Sequence, residues 1–215
     1  MHLVVGLGNP GERYARTRHN VAWAVLDELA ARHAAGEGPG HATYRARRAE
    51  IAGRAVELLQ PLTFMNLSGA ALSAWREGCG VEDGLLVVSD DVYLPLGRLR
   101  LRAHGSSGGH RGLESIEAAV GSRDYARLRI GVGAPIGTMG EAEPSAALRE
   151  HVLQEIAPEE APVLEAAVRR AADAVECWVA EGALGAMNQF NRRPDLGRSS
   201  EGTGVEGVRE EESET

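Results

Sequence analysis

The residues best placed to do chemistry are His19 and the acid pair Asp90-Asp91. His19 follows the glycine turn Gly6-Leu7-Gly8-Asn9-Pro10-Gly11 and is flanked by Arg18 and Asn20, a polar setting rather than an apolar helical face. Asp90 and Asp91 close a short apolar run, Leu85–Val88. In open α/β sheets the carboxyl ends of strands are where ligands bind. A carboxylate there can hydrogen-bond an imidazole, fix its tautomer and raise its basicity. A histidine so held can take a proton from water. Solvated turn acids and a buried structural histidine would use the same residue types, and type alone leaves both readings open. His2, His33, His41 and His151 have no comparable setting.

Other chemistries are excluded by what the chain lacks. All 23 basic residues are arginine. Without lysine there is no Walker A phosphate loop, no Schiff base and no Ser-x-x-Lys hydrolase site. Two cysteines, Cys79 and Cys177, form neither a CxxC pair nor a four-thiolate zinc site, and no H-x₃-H or H-E-x-x-H spacing occurs. Neither metal nor cofactor is expected.

Two glycine loops need weighing. Gly6-x-Gly8-x-x-Gly11 matches the dinucleotide fingerprint, but the residues after it, Glu12 to His19, have little apolar face. A dinucleotide site requires an amphipathic helix opening directly from the loop. An NAD(P) oxidoreductase is therefore a distant reading. Gly105-Ser106-Ser107-Gly108-Gly109-His110-Arg111-Gly112 also precedes a helical pattern. It could present backbone N–H groups to an anion, or it could simply be a tight turn needing positive φ.

The formal charge of −8 argues against a nucleic-acid partner until its distribution is read. Residues 194–215 hold seven acids and two arginines, a net of −5, with almost nothing apolar. This segment reads as a disordered acidic tail. Residues 95–130 instead hold seven arginines and three acids, a net of +4. Arg98, Arg100 and Arg102 are spaced by two, as are Arg127 and Arg129. One such run is usually the solvated face of a strand; two predict a basic surface able to meet phosphate.

The elements that must position these groups follow from periodicity. Strands are expected at 2–6, 43–51, 55–60, 85–88, 99–101 and 127–132, with 43–51 and 55–60 forming a hairpin. Helices are expected at 20–35, from Asn66 or Ser68 to a Gly78/Gly80 stop, at 111–120, at 158–180 and at 183–192. Residues 36–40 read as a loop, and 134–146 as small, polar and mobile. The alternation predicts an α/β fold, a single-domain three-layer sandwich in which helices flank a mixed, twisted β-sheet. The body is residues 1–193 and the tail 194–215. No stretch approaches the roughly 20 apolar residues of a membrane span. With no secretory leader legible at Met1–Val5, a cytoplasmic protein is expected.

Taken together the motifs resemble bacterial-type peptidyl-tRNA hydrolases. The similarity runs through Val4-Val5-Gly6-Leu7-Gly8-Asn9-Pro10-Gly11, Tyr14-Ala15-x-Thr17-Arg18-His19-Asn20 and Pro61-Leu62-Thr63-Phe64-Met65-Asn66-Leu67-Ser68-Gly69. It continues in Asp90-Asp91-Val92-Tyr93-Leu94-Pro95-Leu96-Gly97, Gly108-Gly109-His110, Arg127-Leu128-Arg129-Ile130-Gly131 and Ala186-Met187-Asn188-x-Phe190-Asn191. It covers about residues 2–192 in the family's order.

The resemblance implies hydrolysis of the ester joining a peptide to the 3′ end of tRNA, recycling tRNA from stalled or aborted translation by metal-independent activation of water. It implies His19 as base and Asp90 as the carboxylate that holds it. Asn9 would favour peptidyl over free aminoacyl substrates, and Asn66 would bond the peptide or the attacking water. Tyr14, Phe64 and Met65 would shape the pocket, and Arg98, Arg100, Arg102, Arg127 and Arg129 would contact tRNA phosphates. The expected partner is tRNA, without membrane or obligate protein partner, and the expected state is monomeric. Arg111, Tyr93 and Ala22 stand where the family commonly has Asn, Asp and Gly. Arg111 would bind substrate, yet it is donor-only and cannot replace an acceptor. It motivates a rival reading, a paralogue that keeps the fold as an RNA-binding module with altered hydrolysis.

Overall fold

The computed structural model describes residues 1–80, 82–135 and 146–192. Seven strands form one sheet in the order β2-β3-β4-β1-β5-β7-β6. The strands are β1 (His2–Gly6), β2 (Gly36–Glu37), β3 (Tyr44–Ile51), β4 (Arg54–Pro61), β5 (Gly84–Asp91), β6 (Leu99–Arg102) and β7 (Ala126–Gly131). The centre is parallel, β1 pairing with β4 and β5 and β5 with β7, while β2, β3 and β6 add antiparallel edges.

Strands covered on both faces read as continuous apolar runs. Leu3-Val4-Val5 and Leu85-Leu86-Val87-Val88 are such runs, all buried. Val4, Leu86, Val88, Leu128 and Ile130 pack against α1 (Val21–Arg32) and α5 (Ala161–Phe190). Leu3, Val5, Leu59 and Val87 face α2 (Ser68–Cys79) and α3 (Arg111–Val120) on the other side. The result is the expected three-layer sandwich around a mixed sheet.

Most expected elements fall where periodicity placed them. Gly182 breaks α5 with φ 80°, so its two halves are the two helices expected at 158–180 and 183–192. Two short elements lay outside the sequence reading: β2, within the expected loop 36–40, and α4 (Ala146–Val152), just after the small polar stretch. The fingerprint loop opens into a single 3-10 turn, Glu12–Tyr14, instead of a helix. The acidic tail 194–215 and most of the stretch expected to be mobile, residues 136–145, lie outside the described residues. Among the described residues no helix is long and apolar enough to cross a membrane.

Topology brings the candidate chemistry to one edge. Parallel β1 and β5 are neighbours, so the turn after Gly6 and the pair Asp90-Asp91 emerge side by side. The loop after β6 returns to the same edge as it opens α3.

Candidate active site

The turn carrying His19 is rigid because its polar groups are spent internally. Asn20 accepts from the Asn9 N–H at 2.8 Å and donates to the Asn9 carbonyl at 3.0 Å. Trp23 Nε1 donates to the Gly6 carbonyl at 3.1 Å, and a Cβ on Gly8 would lie 2.5 Å from the indole. Only glycine fits there. Arg18 is buried and bonds the carbonyl of Glu155 at 2.9 Å and the carboxylate of Glu160. The base turn is thereby fastened to the segment that follows α4.

His19 Nδ1 lies 2.8 Å from Asp90 Oδ1, and Asp90 is 2% exposed. An ionised carboxylate only accepts, so Nδ1 carries the proton and Nε2 keeps a lone pair. Burial pushes His19 toward the neutral form, but the charge and hydrogen bond of Asp90 outweigh it, and the net effect is a raised pKa. Burial would likewise raise Asp90; the positive field of His19 and the hydrogen bonds from both histidines hold it well below the ordinary carboxylate range.

The second histidine is His110, which the sequence reading left out of the site. Its Nε2 lies 3.0 Å from the same Asp90 Oδ1. Its Nδ1 accepts the N–H groups of Gly112 at 3.1 Å and Leu113 at 3.3 Å, capping α3. A cap must accept, so the proton resides on Nε2 and points at Asp90. The signal that could have found it was its place immediately before a helix, after two glycines.

His19, Asp90 and His110 are also a group whose ligand atoms lie within 4.8 Å of one another, a clustering that spacing of 19, 90 and 110 hides. Both imidazole nitrogens turned to Asp90 are N–H donors, so an ion there would have to displace both hydrogen bonds. The donor set fits a hydrogen-bonded relay better than a metal.

Around this relay opens a cleft of about 710 Å³, lined by Asn9, Phe64, Met65, Asn66, Arg111 and Arg129 among others. Asn9 Oδ1 accepts the Met65 N–H at 2.8 Å, so the Nδ2 end of that amide remains for a ligand. Met65 is buried, Asn66 exposed and Phe64 52% exposed at the rim. Arg111 opens α3 and is exposed. Asp91 accepts from the Tyr93 N–H at 2.8 Å and from Arg129 Nη1 at 3.1 Å. Tyr14, expected in the pocket, does not line it; Arg13 lies over its ring at 4.6 Å.

The arginines divide. Arg100 and Arg102 are exposed on edge strand β6, as their alternation predicted. Arg127 departs from expectation: it is 2% exposed, stacked 4.1 Å from the centre of the Tyr125 ring and bonded to the carbonyls of Ser106 and Arg123. Strand β7 lies inside the sheet under the glycine loop, so alternation there marks two covered faces. Arg129 donates to the carbonyls of Ser106 and Ser107 at 2.9 and 2.7 Å, holding that loop beside the cleft. Arg98 donates to the Asn191 carbonyl at 2.6 Å.

A family profile described as peptidyl-tRNA hydrolase matches residues 3–197. The peptidyl-tRNA hydrolase of Chloroflexus aggregans is 44% identical over 200 residues, covering 89% of this chain and 99% of that protein. That of Roseiflexus castenholzii is 45% identical over 206 residues, covering 94% and 93%. The crystal structure of peptidyl-tRNA hydrolase from Acinetobacter baumannii superposes with a TM-score of 0.77 at 32% identity, covering 89% and 94%.

Proposed function

The chain belongs to the peptidyl-tRNA hydrolase family, and we propose that His19 is the base with which it hydrolyses the ester between peptide and tRNA. With Nδ1–H donated to Asp90, His19 Nε2 can remove a proton from a water molecule as the water oxygen attacks the ester carbonyl carbon. The C–O bond to the ribose then breaks. The imidazolium returns its proton to the departing ribose oxygen, leaving a free 3′ hydroxyl on the tRNA and a carboxylic acid on the peptide, which releases its proton to solvent.

The observation that carries this reading is the 2.8 Å contact between His19 and a carboxylate buried in the floor of an open cleft. A solvated turn pair would not be held this way. The donors of Asn66 and of Asn9 Nδ2 are suited to steady the developing oxyanion or the peptide carbonyls. Phe64 at the rim offers a face for a base or sugar. Arg100 and Arg102 are the exposed cations best suited to tRNA phosphates, contacts that position without reading sequence. Arg111 at the mouth of α3 supplies donors to the substrate. We place the reaction in the cytoplasm, carried out by a monomer.

Turnover of an N-blocked aminoacyl-tRNA by His19→Ala tests the assignment. Release of peptide should be abolished while tRNA binding persists; full activity would overturn it.

A further inference from the structure

Arg18 precedes the base, yet it does not line the cleft and is 5% exposed. Its guanidinium fork spans two acceptors: Nη1 donates to the Glu155 carbonyl at 2.9 Å, and Nη2 pairs with the Glu160 carboxylate. Glu160 also accepts from the Ala157 N–H at 3.2 Å and stands immediately before α5. The backbone makes the same connection. Thr17 bridges antiparallel to Glu155, the Arg18 N–H donates to the Gln154 carbonyl at 3.3 Å, and the Ile156 N–H donates to the Arg16 carbonyl at 3.1 Å. Residues 16–18 and 154–156 thus form a short seam, fastened by a largely buried ion pair.

The seam joins two parts of the site that are far apart in sequence. On one side, Arg18 opens the 3-10 turn Arg18–Asn20 that carries His19. On the other, Gln154 lies two residues beyond the end of α4, a stretch that spans at most about 7 Å. Helix α4 supplies Leu148, Arg149, Val152 and, just past its end, Leu153 to the cleft wall. So short a helix does not hold itself in water. Among the described residues its place is set by the burial of Leu148 and Val152, by an approach of His151 Nε2 to the Val132 carbonyl at 3.4 Å, and by the seam. A buried ion pair is a weak source of net stability, because desolvation offsets its attraction, but a guanidinium fork between two acceptors restricts geometry closely. That geometry sets how far the α4 wall stands from His19. Substrate resting on the wall meets His19 Nε2 at that distance, and a displacement of about 1 Å can cost about 10²-fold in rate.

We propose that Arg18, through Glu160, is a positioning residue for the hydrolysis: it fixes the α4 wall relative to His19 and so aims the ester at the base. The aim rests on the hydrolase reading; the hold on α4 does not.

The test compares the unaltered chain with Arg18→Met, Glu160→Ala and the double variant, urea unfolding verifying that each is folded under assay conditions. Glu160 is partly exposed, so its variant decides the matter should Arg18→Met fail to fold. On peptidyl-tRNA, kcat should fall about 10- to 100-fold in each single variant with KM within about threefold. The double variant should be no slower than Arg18→Met, since both changes break one link. Amide hydrogen exchange of residues 149–154 should quicken in every variant while that of α3 stays unchanged. Unchanged kcat in the folded variants overturns the aim, even where unfolding comes at lower urea, because a merely structural link would show that loss alone. Losses that add in the double variant show two residues acting apart, and also overturn it. Unchanged exchange in residues 149–154 overturns the hold on α4. If the unaltered chain turns over no substrate, the hydrolase reading fails and the aim with it, while exchange still decides the hold.

Discussion

His19 and His110 face each other across a single oxygen of Asp90, their ring centroids 5.3 Å apart and inclined at 44°. The two imidazoles are not equivalent. His110 uses its other nitrogen to cap α3 and is thereby fixed as the Nε2–H tautomer. His19 keeps its other nitrogen free at the cleft. Asp90 is thus shared between a fixed donor and a working base.

The first expected outcome concerns pH. Because the pKa of His19 is raised from its ordinary 6.5, kcat/KM of the natural protein should climb with pH through a midpoint above that value, as the imidazole becomes neutral. Asp90→Asn removes the charge and leaves burial as the dominant influence. Its midpoint should fall below 6.5, while the plateau rate drops about 10²- to 10⁴-fold. An unshifted midpoint in the pH–rate profile would separate Asp90 from the base.

A second outcome concerns His110. His110→Ala removes a helix cap and one of the two donors to Asp90. The lost cap alone should cost about 1 kcal/mol, read from urea unfolding. Asp90, no longer shared, should hold His19 more strongly, so the acid limb of the rate profile should move upward in pH. A purely structural role would lower stability and leave that limb in place.

How far the sequence alone reached depended on the kind of signal. His19 and Asp90 were legible from a polar setting after a glycine turn and from the end of an apolar strand, Asn9 and the Phe64–Asn66 segment only through the family resemblance, and the cleft gathers them all. The central strands were legible because two-sided burial makes runs such as Leu85–Val88. His110 was missed because its role depends on a tautomer set by helix α3, and no spacing encodes that. Arg127 misled because alternation marks two faces of a strand without saying what covers them; here Tyr125 and the carbonyls of Ser106 and Arg123 do. Helix α4 is only seven residues, too short for its period to stand out, yet Leu148, Arg149 and Val152 wall the cleft.

Arg111 separates an active hydrolase from a paralogue that has kept only the fold. It is exposed at the first turn of α3, so Asn can replace it without disturbing buried contacts. Arg111→Asn should change kcat by less than about tenfold if the His19–Asp90 relay is already competent, with the larger effect on KM. A gain from near zero to full turnover would favour the inactive paralogue. Steady-state kinetics on peptidyl-tRNA reads both.

The last outcome concerns the layer behind the site. Glu57, fully buried on β4, accepts from Trp75 Nε1 at 2.8 Å and from Arg48 Nε at 3.1 Å. Trp75, itself fully buried, anchors α2 to the sheet. Removing Glu57 leaves the buried Trp75 N–H without an acceptor, while Arg48, 58% exposed, can turn to solvent; an isosteric neutral group keeps most of the geometry. Glu57→Ala should therefore cost about 1–3 kcal/mol for the unmatched donor, and Glu57→Gln, which can still accept from the indole, distinctly less. Because α2 follows directly on Met65–Leu67, the alanine variant should also loosen the wall that carries Asn66 and raise KM. Denaturant unfolding monitored by tryptophan fluorescence, with kinetics on the same samples, checks both: equal losses for the two variants would show that the carboxylate's charge, absent from both, and neither packing volume nor an acceptor for Trp75, holds α2 in place.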